Sequence, residues 1–283
     1  MDVSVLGFGD NVVDVYDHTG VMYPGGNAAN FAVAAKRLGA RRSAYMGYFC
    51  SDAKAEHEIS SLAAEGVELV KCRQLVGPNG EAHVTLVDGD RVFVGSNEGG
   101  IRGETSFVLD RFDLEYVRSF DVVHSGNYCF TERQLPKIRE AGVPVSFDFS
   151  DDSTDDYVRQ VAPSVDLAFM SAGEMGEAEV AERLRWVVSL GPRYANATMG
   201  SEGSLGYDGK RFYRQGVRPV EHLVDTMAAG DTFLAGFVVT WVDLGKQGVE
   251  GPQRVERCLE AAAEAGARAC ETEGSWGHGA PVA

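Results

Sequence analysis

Short apolar runs of strand type alternate along this chain with longer segments whose apolar positions recur every three or four residues. Residues 3–7 form the first such run, ended by Gly7 and Gly9. Residues 27–38 place Ala28, Phe31, Ala32, Ala35 and Leu38 on one helical face, with Asn27 as the expected N-cap and Gly39 just past the end. A strand over 43–48 and a helix from a Ser51 cap through Glu65, closed by Gly66, repeat the unit. Further strands over 122–124, 143–149, 167–170 and 194–199 are separated by helices over 132–141 and around Val180, Leu184, Val187 and Val188. Such alternation predicts an α/β fold with a mainly parallel central sheet.

One region breaks the rhythm. Residues 83–87 and 91–94 are β-rich and joined at Asp88-Gly89-Asp90, a hairpin signal with no crossover helix between its arms. With a second β-like insertion they predict a small antiparallel lid, built from about 14–24 and 80–97 and inserted within one domain of residues 1–283. Residues 205–208 and 211–213 predict a further hairpin around Asp208-Gly209. Past an apolar helix that opens near Asp231, residues 254–270 predict a long alanine-rich helix, and the tail from Gly274 reads as turns.

Length and composition sharpen this picture little: 283 residues can bury a large core, and 44% hydrophobic with 24% charged residues is ordinary for a globular protein. Charge excludes more. A net charge of −16 argues against nucleic acid or an anionic membrane as a partner. It leaves an anionic small substrate open, because a local nest of backbone N–H groups can overcome a distant field. Five scattered cysteines without a C-x-x-C pair fit free thiols better than disulfides or zinc. The longest apolar run, 233–242, is too short to cross a bilayer, and Asp2 stands where a basic leader would begin. A cytoplasmic location is the expectation.

The chemistry concentrates in residues 225–237. Asp225, Thr226 and Met227 lead into the small residues Ala228, Ala229 and Gly230, then Asp231, then an apolar helix. Free N–H groups at a helix start favour an anion, and small side chains let a phosphate approach them. A carboxylate beside such a site makes sense if it must accept a proton; the alternative is an Asp cap on an ordinary core helix. Three more loops fall at strand carboxyl ends, where a doubly wound sheet gathers its ligands: 10–14, 25–30, and 171–174 with 198–203. No G-x-G-x-x-G follows the first strand, which removes a dinucleotide-dependent dehydrogenase.

Gly25-Gly26-Asn27, the T-x-G-x-x-G pattern at 198–203 and the D-T-x-x-A-G-D-T-F-x-A-G run occur together and in order, and on them the chain resembles the PfkB (ribokinase-like) carbohydrate kinases over nearly its whole length. The resemblance implies a three-layer α/β/α fold, ATP with Mg²⁺, and Asp231 as the base that takes the proton from a sugar hydroxyl. It makes the backbone of Ala228, Ala229 and Gly230 the anion hole. Thr198, Gly200, Gly203, Ser171 and Thr226 would line the ATP side, and Glu174 would help hold Mg²⁺, partly through water. Asp10, Asp14, Gly25, Gly26, Asn27 and Asn30 would hold the sugar, and Asp225 would lie near a K⁺ site.

Two departures stand out. Ala228 replaces a family glycine, so its backbone must avoid positive φ or be strained. Ser171 replaces the asparagine of an asparagine-x-x-glutamate element whose acid is kept as Glu174. Residues 9–14, 90–93, 147–151 and 274–276 resemble the fructoselysine 6-kinase branch, which implies a fructosamine acceptor and gives Asp10, Asp148 and Glu98 an ammonium to pair with. Arg91 would meet a substrate carboxylate or pin the lid. His124 reads as a hydrogen-bonded core histidine before a ligand. A free-sugar fructokinase- or ribokinase-like enzyme, and a sugar- or nucleotide-binding regulator without turnover, are the alternatives. The lid's exposed edge is expected to pair in a homodimer.

Overall fold

Val5 and Leu6 point to opposite faces of strand β1 (Ser4–Gly9) and both are fully buried, so this strand is covered on both sides. The computed structural model describes residues 1–87, 90–173 and 175–282, except for the side chains of residues 86, 87, 90 and 91. β1 pairs in parallel with β4 (Arg42–Phe49) on one side and β8 (Val122–Gly126) on the other. Outward from β4 lies β5 (Arg73–Gln74); outward from β8 run β9 (Val145–Asp148), β10 (Leu167–Ser171) and β11 (Tyr194–Thr198), all parallel. An antiparallel pair, β12 (Ser204–Tyr207) and β13 (Phe212–Gln215), completes the nine strands.

Helices cover both faces, as the alternation predicts. α1 (Asn27–Arg37), α2 (Ala53–Ala64), α7 (Ala229–Lys246) and α8 (Gly251–Ala269) lie on one side, α3 (Arg111–Val117), α4 (Leu135–Glu140), α5 (Asp155–Val161) and α6 (Glu177–Ser189) on the other. The first core joins Val5, Val122, Phe169 and Tyr194 of the sheet to Phe31 and Phe237. The second joins Leu6, Val123, Phe147 and Ala168 to Ile138 and Leu184. Tyr194 stacks on Phe237 at 4.6 Å, and each such buried aromatic contributes roughly 1.5–3 kcal/mol by burial alone. Among the described residues no helix is long and apolar enough to cross a membrane.

The lid is a second sheet in the order β14 (Ala280–Pro281), β3 (Val21–Gly25), β2 (Val12–Tyr16), β6 (Gly80–Val87), β7 (Asp90–Ser96). It differs from the expected antiparallel flap in two ways. β2 and β6 pair in parallel, because the long excursion through α1, β4 and α2 brings the chain back in the same direction. The tail is not all turns, since Ala280 and Pro281 add an edge strand to β3. The Asp88-Gly89 turn itself lies outside the described residues.

Four local expectations are corrected. Gly26, with φ 95°, is the N-cap of α1, so Asn27 is its first helical residue and its side chain is free to turn elsewhere. Asp52, not Ser51, caps α2 by accepting from Ala55 N at 2.9 Å. The helix expected over 132–141 is a 3₁₀ turn, Glu132–Gln134, followed by α4, and α8 begins at Gly251 with proline in its first turn.

The strand order reverses at β1, with β4 to one side and β8 to the other. The carboxyl ends of β1, β8 and β9 therefore open a crevice at a topological switch point, the place where such sheets bind ligands.

Candidate active site

Asp10 follows β1 and is 3% exposed. Its two oxygens accept from Asn27 N at 3.0 Å and Ala28 N at 2.8 Å, and the Cys129 thiol donates to it at 3.1 Å. A residue placed by sequence among the sugar ligands thus acts as the cap that Gly26 cannot supply to α1. Gly26 must be glycine, because a Cβ there would stand 2.8 Å from Asn11 Cα on a backbone at positive φ.

With its N-terminus so held, α1 turns Asn27 and Asn30 toward α7. Asn27 Nδ2 donates to Asp231 Oδ1 at 2.7 Å and to Asp148 Oδ2 at 3.0 Å, and Asn30 Nδ2 donates to Asp231 Oδ2 at 2.7 Å. Asp231 is therefore no cap for its own helix. Burial raises its pKa to about 6; the amide of Asn30 opposes that rise, the charge of Asp10 adds to it, and Asn27 opposes it again. Asp148, at the end of β9, is raised to about 7 by burial and then by the charge of Asp231. At neutral pH Asp231 is ionised yet far more basic than an exposed aspartate, which suits a proton acceptor.

Ala228 is the N-cap of α7 at φ 54°, ψ 16°, and no side chain caps this helix. The departure from glycine is met by strain, worth about 1 kcal/mol for a non-glycine residue. Ala229 N makes a long bond to Thr226 O at 3.3 Å, and Gly230 follows at the open helix start beside Asp231. Asp225 lies under this loop, accepting from Tyr16 OH at 2.6 Å, Met227 N at 2.9 Å and Gly274 N at 3.0 Å.

Of the residues expected to meet ATP, Ser171 and Thr198 are register partners at the ends of β10 and β11, and Gly200 and Gly203 shape the turn that follows. Ser171 also rims an open cleft of about 520 Å³ between α5 and α6 that Asp231 does not line. Glu174 lies outside the described residues, as does the side chain of Arg91. Asp14, expected to meet the sugar, is 6% exposed and accepts from Ser275 Oγ at 3.3 Å.

Three participants were not assigned to the site by sequence. Glu58 is fully buried, its Oε1 accepts from Gly25 N at 2.8 Å, and burial holds its carboxyl well above the usual range. Trp276 donates Nε1–H to Asn30 Oδ1 at 2.8 Å. His124 meets Asn27 Oδ1 at 2.9 Å through Nε2. Local sequence marks neither the acid nor the histidine strongly: Glu58 stands between His57 and Ile59, and His124 between Val123 and Ser125. Nothing local joins Trp276 to Asn30.

The chain matches the profile of the pfkB family carbohydrate kinases over residues 3–278. It is 38% identical over 280 residues to fructosamine kinase FrlD of Bacillus subtilis, covering 99% of this chain and 95% of that protein. It is 31% identical over 268 residues to fructoselysine 6-kinase of Escherichia coli, covering 95% and 97%. Among solved structures it is similar to Arabidopsis thaliana ribokinase complexed with ribose and ATP, with a TM-score of 0.79, 23% identity and coverage of 97% and 94%. That last likeness bears out the ribokinase-like fold expected from sequence.

Proposed function

The chain belongs to the pfkB family of carbohydrate kinases, and from that premise we propose that it transfers the γ-phosphoryl group of ATP to a fructosamine, with the 6-hydroxyl of fructoselysine as the first acceptor to test. The relatives named for fructosamine and fructoselysine support the acceptor class. The observation that carries the chemistry is Asp231, held by two asparagine amides at the start of a helix with no side-chain cap.

Asp231 takes the proton of the attacking hydroxyl. The open α7 start at Ala228, Ala229 and Gly230 presents backbone N–H groups to the transferred phosphoryl, whose charge needs alignment and neutralisation more than covalent help. Asp14, Gly25, Gly26 and Asn30 hold the sugar; Asp148 faces the same crevice and suits a substrate ammonium. Thr198, Gly200, Gly203, Ser171 and Thr226 receive ATP.

Among the described residues no three His, Cys, Asp or Glu side chains converge on a metal position. That donor set fits a Mg²⁺ carried in on the nucleotide phosphates, assisted by Glu174, better than a protein-built cage. When bound it would neutralise phosphate charge. A K⁺ site by Asp225 is part of the same proposal, supported by the loop that joins Val224 N and Asp225 N to Cys270 O. So are a single catalytic unit over residues 1–283 and a homodimer through the lid, whose edge strand leaves Phe93 62% exposed beside Val92 and Val94. Five free thiols suit a reducing, cytoplasmic setting.

The test measures ATP consumption with fructoselysine, other fructosamines, fructose and ribose, for the parent protein and Asp231→Asn. Fructosamines should be preferred, and the variant should lose about 10²–10⁴-fold in rate. A preference for free fructose or ribose would replace the acceptor assignment with the free-sugar reading. A fully active variant would remove Asp231 as the base.

A further inference from the structure

His124 stands on β8 opposite Ser146 on β9, so both side chains leave the sheet on the face that carries α1. The imidazole is fully buried against the ring of Phe31 at 4.4 Å. Its Nδ1 lies 3.1 Å from Ser146 Oγ and its Nε2 lies 2.9 Å from Asn27 Oδ1. On the other end of that amide, Nδ2 reaches two carboxylate oxygens, Asp148 Oδ2 and Asp231 Oδ1. Gly126, two positions further along β8, leaves room for the amide, since a Cβ there would sit 2.5 Å from Asn27 Oδ1.

We propose that His124 is a positioning residue for phosphoryl transfer: by donating Nε2–H to Asn27 Oδ1 it fixes the amide so that both hydrogens of Nδ2 face Asp231 and Asp148. An amide can be rotated by half a turn with little change in shape, and only its hydrogen-bond partners choose between the two orientations. The reversed orientation would aim Oδ1 at two carboxylates and Nδ2 at the ring. A ring with its hydrogen on Nε2 forbids that reversal, because two donors would then face each other. In this tautomer Nδ1 is free to accept the hydroxyl hydrogen of Ser146, 3.1 Å away. Burial pushes the imidazole down to about 3, so it carries one hydrogen throughout the working pH range. Among the described residues no charged side chain bonds to the ring: β1 offers Gly7 beside it, β9 offers Ser146, and α1 offers Phe31 and Asn27. The charged groups around Asp231 itself are Asp10 and Asp148.

The inference rests on Asp231 being the base, and two measurements keep the two ideas apart. Nitrogen NMR of histidine-labelled protein reports the tautomer directly; hydrogen on Nε2 with Nδ1 as acceptor is expected, and hydrogen on Nδ1 would overturn the proposal. His124→Phe keeps the ring packing and removes the donor. Losing a hydrogen bond to the ionised base should move the acidic limb of kcat/KM upward by about one pH unit, with KM for ATP unchanged. His124→Gln, which restores an N–H donor, should recover most of that shift. A His124→Phe profile superimposable on the parent's, in a protein that Asp231→Asn still inactivates, would sink the positioning role and leave the base intact. Should His124→Phe fail to fold, the tautomer decides alone.

Discussion

Trp276 and Asn30 are joined by an indole N–H···O bond of 2.8 Å across 246 positions of chain, with Asn30 Nδ2 in turn on Asp231. Trp276 is 3% exposed, and its own carbonyl accepts from Arg37 Nη2 at 2.8 Å. The tail thus fixes the second of the two amides that hold Asp231.

Trp276→Phe should therefore affect both stability and rate. It leaves Asn30 Oδ1 buried without its donor, a loss of about 1–3 kcal/mol. Urea unfolding should show that loss, and kcat should fall several-fold while KM for ATP holds. Unchanged kcat in a destabilised protein would mean that the indole packs without positioning.

The pH dependence follows from the sign of the shift at Asp231. As the proposed base, Asp231 would work ionised, and burial has raised its pKa to about 6, so kcat/KM should fall about tenfold per pH unit below that value. Asn30→Ala removes a donor that favours the ionised form, so the limb should move to higher pH. A limb near the ordinary aspartate range in both proteins would contradict the raised value.

How much of this was legible in the sequence depends on distance along the chain. β1, α1 and α7 were marked by apolar period and small-residue loops, and Asp231 by its position after Gly230. The parallel pairing of β2 with β6 was not, because pairing partners separated by a whole α/β unit leave no trace in local pattern. Asn27 was misread as a cap because an asparagine before an apolar helix fits a cap and a ligand equally well; Asp10, 17 residues earlier, fills that role instead. His124 and Glu58 carry their meaning only through neighbours brought in by the fold.

Glu58 gives a stability test. Burial holds its folded pKa well above the 4.5 of a free glutamate, so its contribution is fully present below that value and is lost as pH rises through the folded pKa. As pH rises from about 4.5 toward the folded pKa the parent should lose stability, at up to about 1.4 kcal/mol per pH unit where this one proton is released. Glu58→Gln keeps an acceptor for Gly25 N and should flatten that slope in urea melts taken across the range. Parallel slopes would show that the carboxyl is already ionised.

Ala228 sits at φ 54° at the start of α7. Glycine there relieves strain of about 1 kcal/mol but frees the unfolded chain by a similar amount, so Ala228→Gly should change stability by less than about 1 kcal/mol. Ala228→Val, β-branched at positive φ, should be the least stable of the three in thermal melts. Equal melting of alanine and valine would argue against the left-handed backbone.

β3 ends at Gly25 and α1 begins at Asn27, so a single residue, Gly26, separates the lid from the helix that grips Asp231. On the roles proposed for the lid and for Asp231, acceptor choice and proton transfer are consequently inherited together. A lid transplanted from a kinase of another sugar would arrive with its own entry angle into α1 and would disturb Asn27 and Asn30 even if every sugar contact were right. Divergence to new acceptors is then easier by exchanging single side chains on β2, β3 and β6 than by swapping the lid as a cassette, and a chimaera has its best chance when the crossover is placed after Asn30.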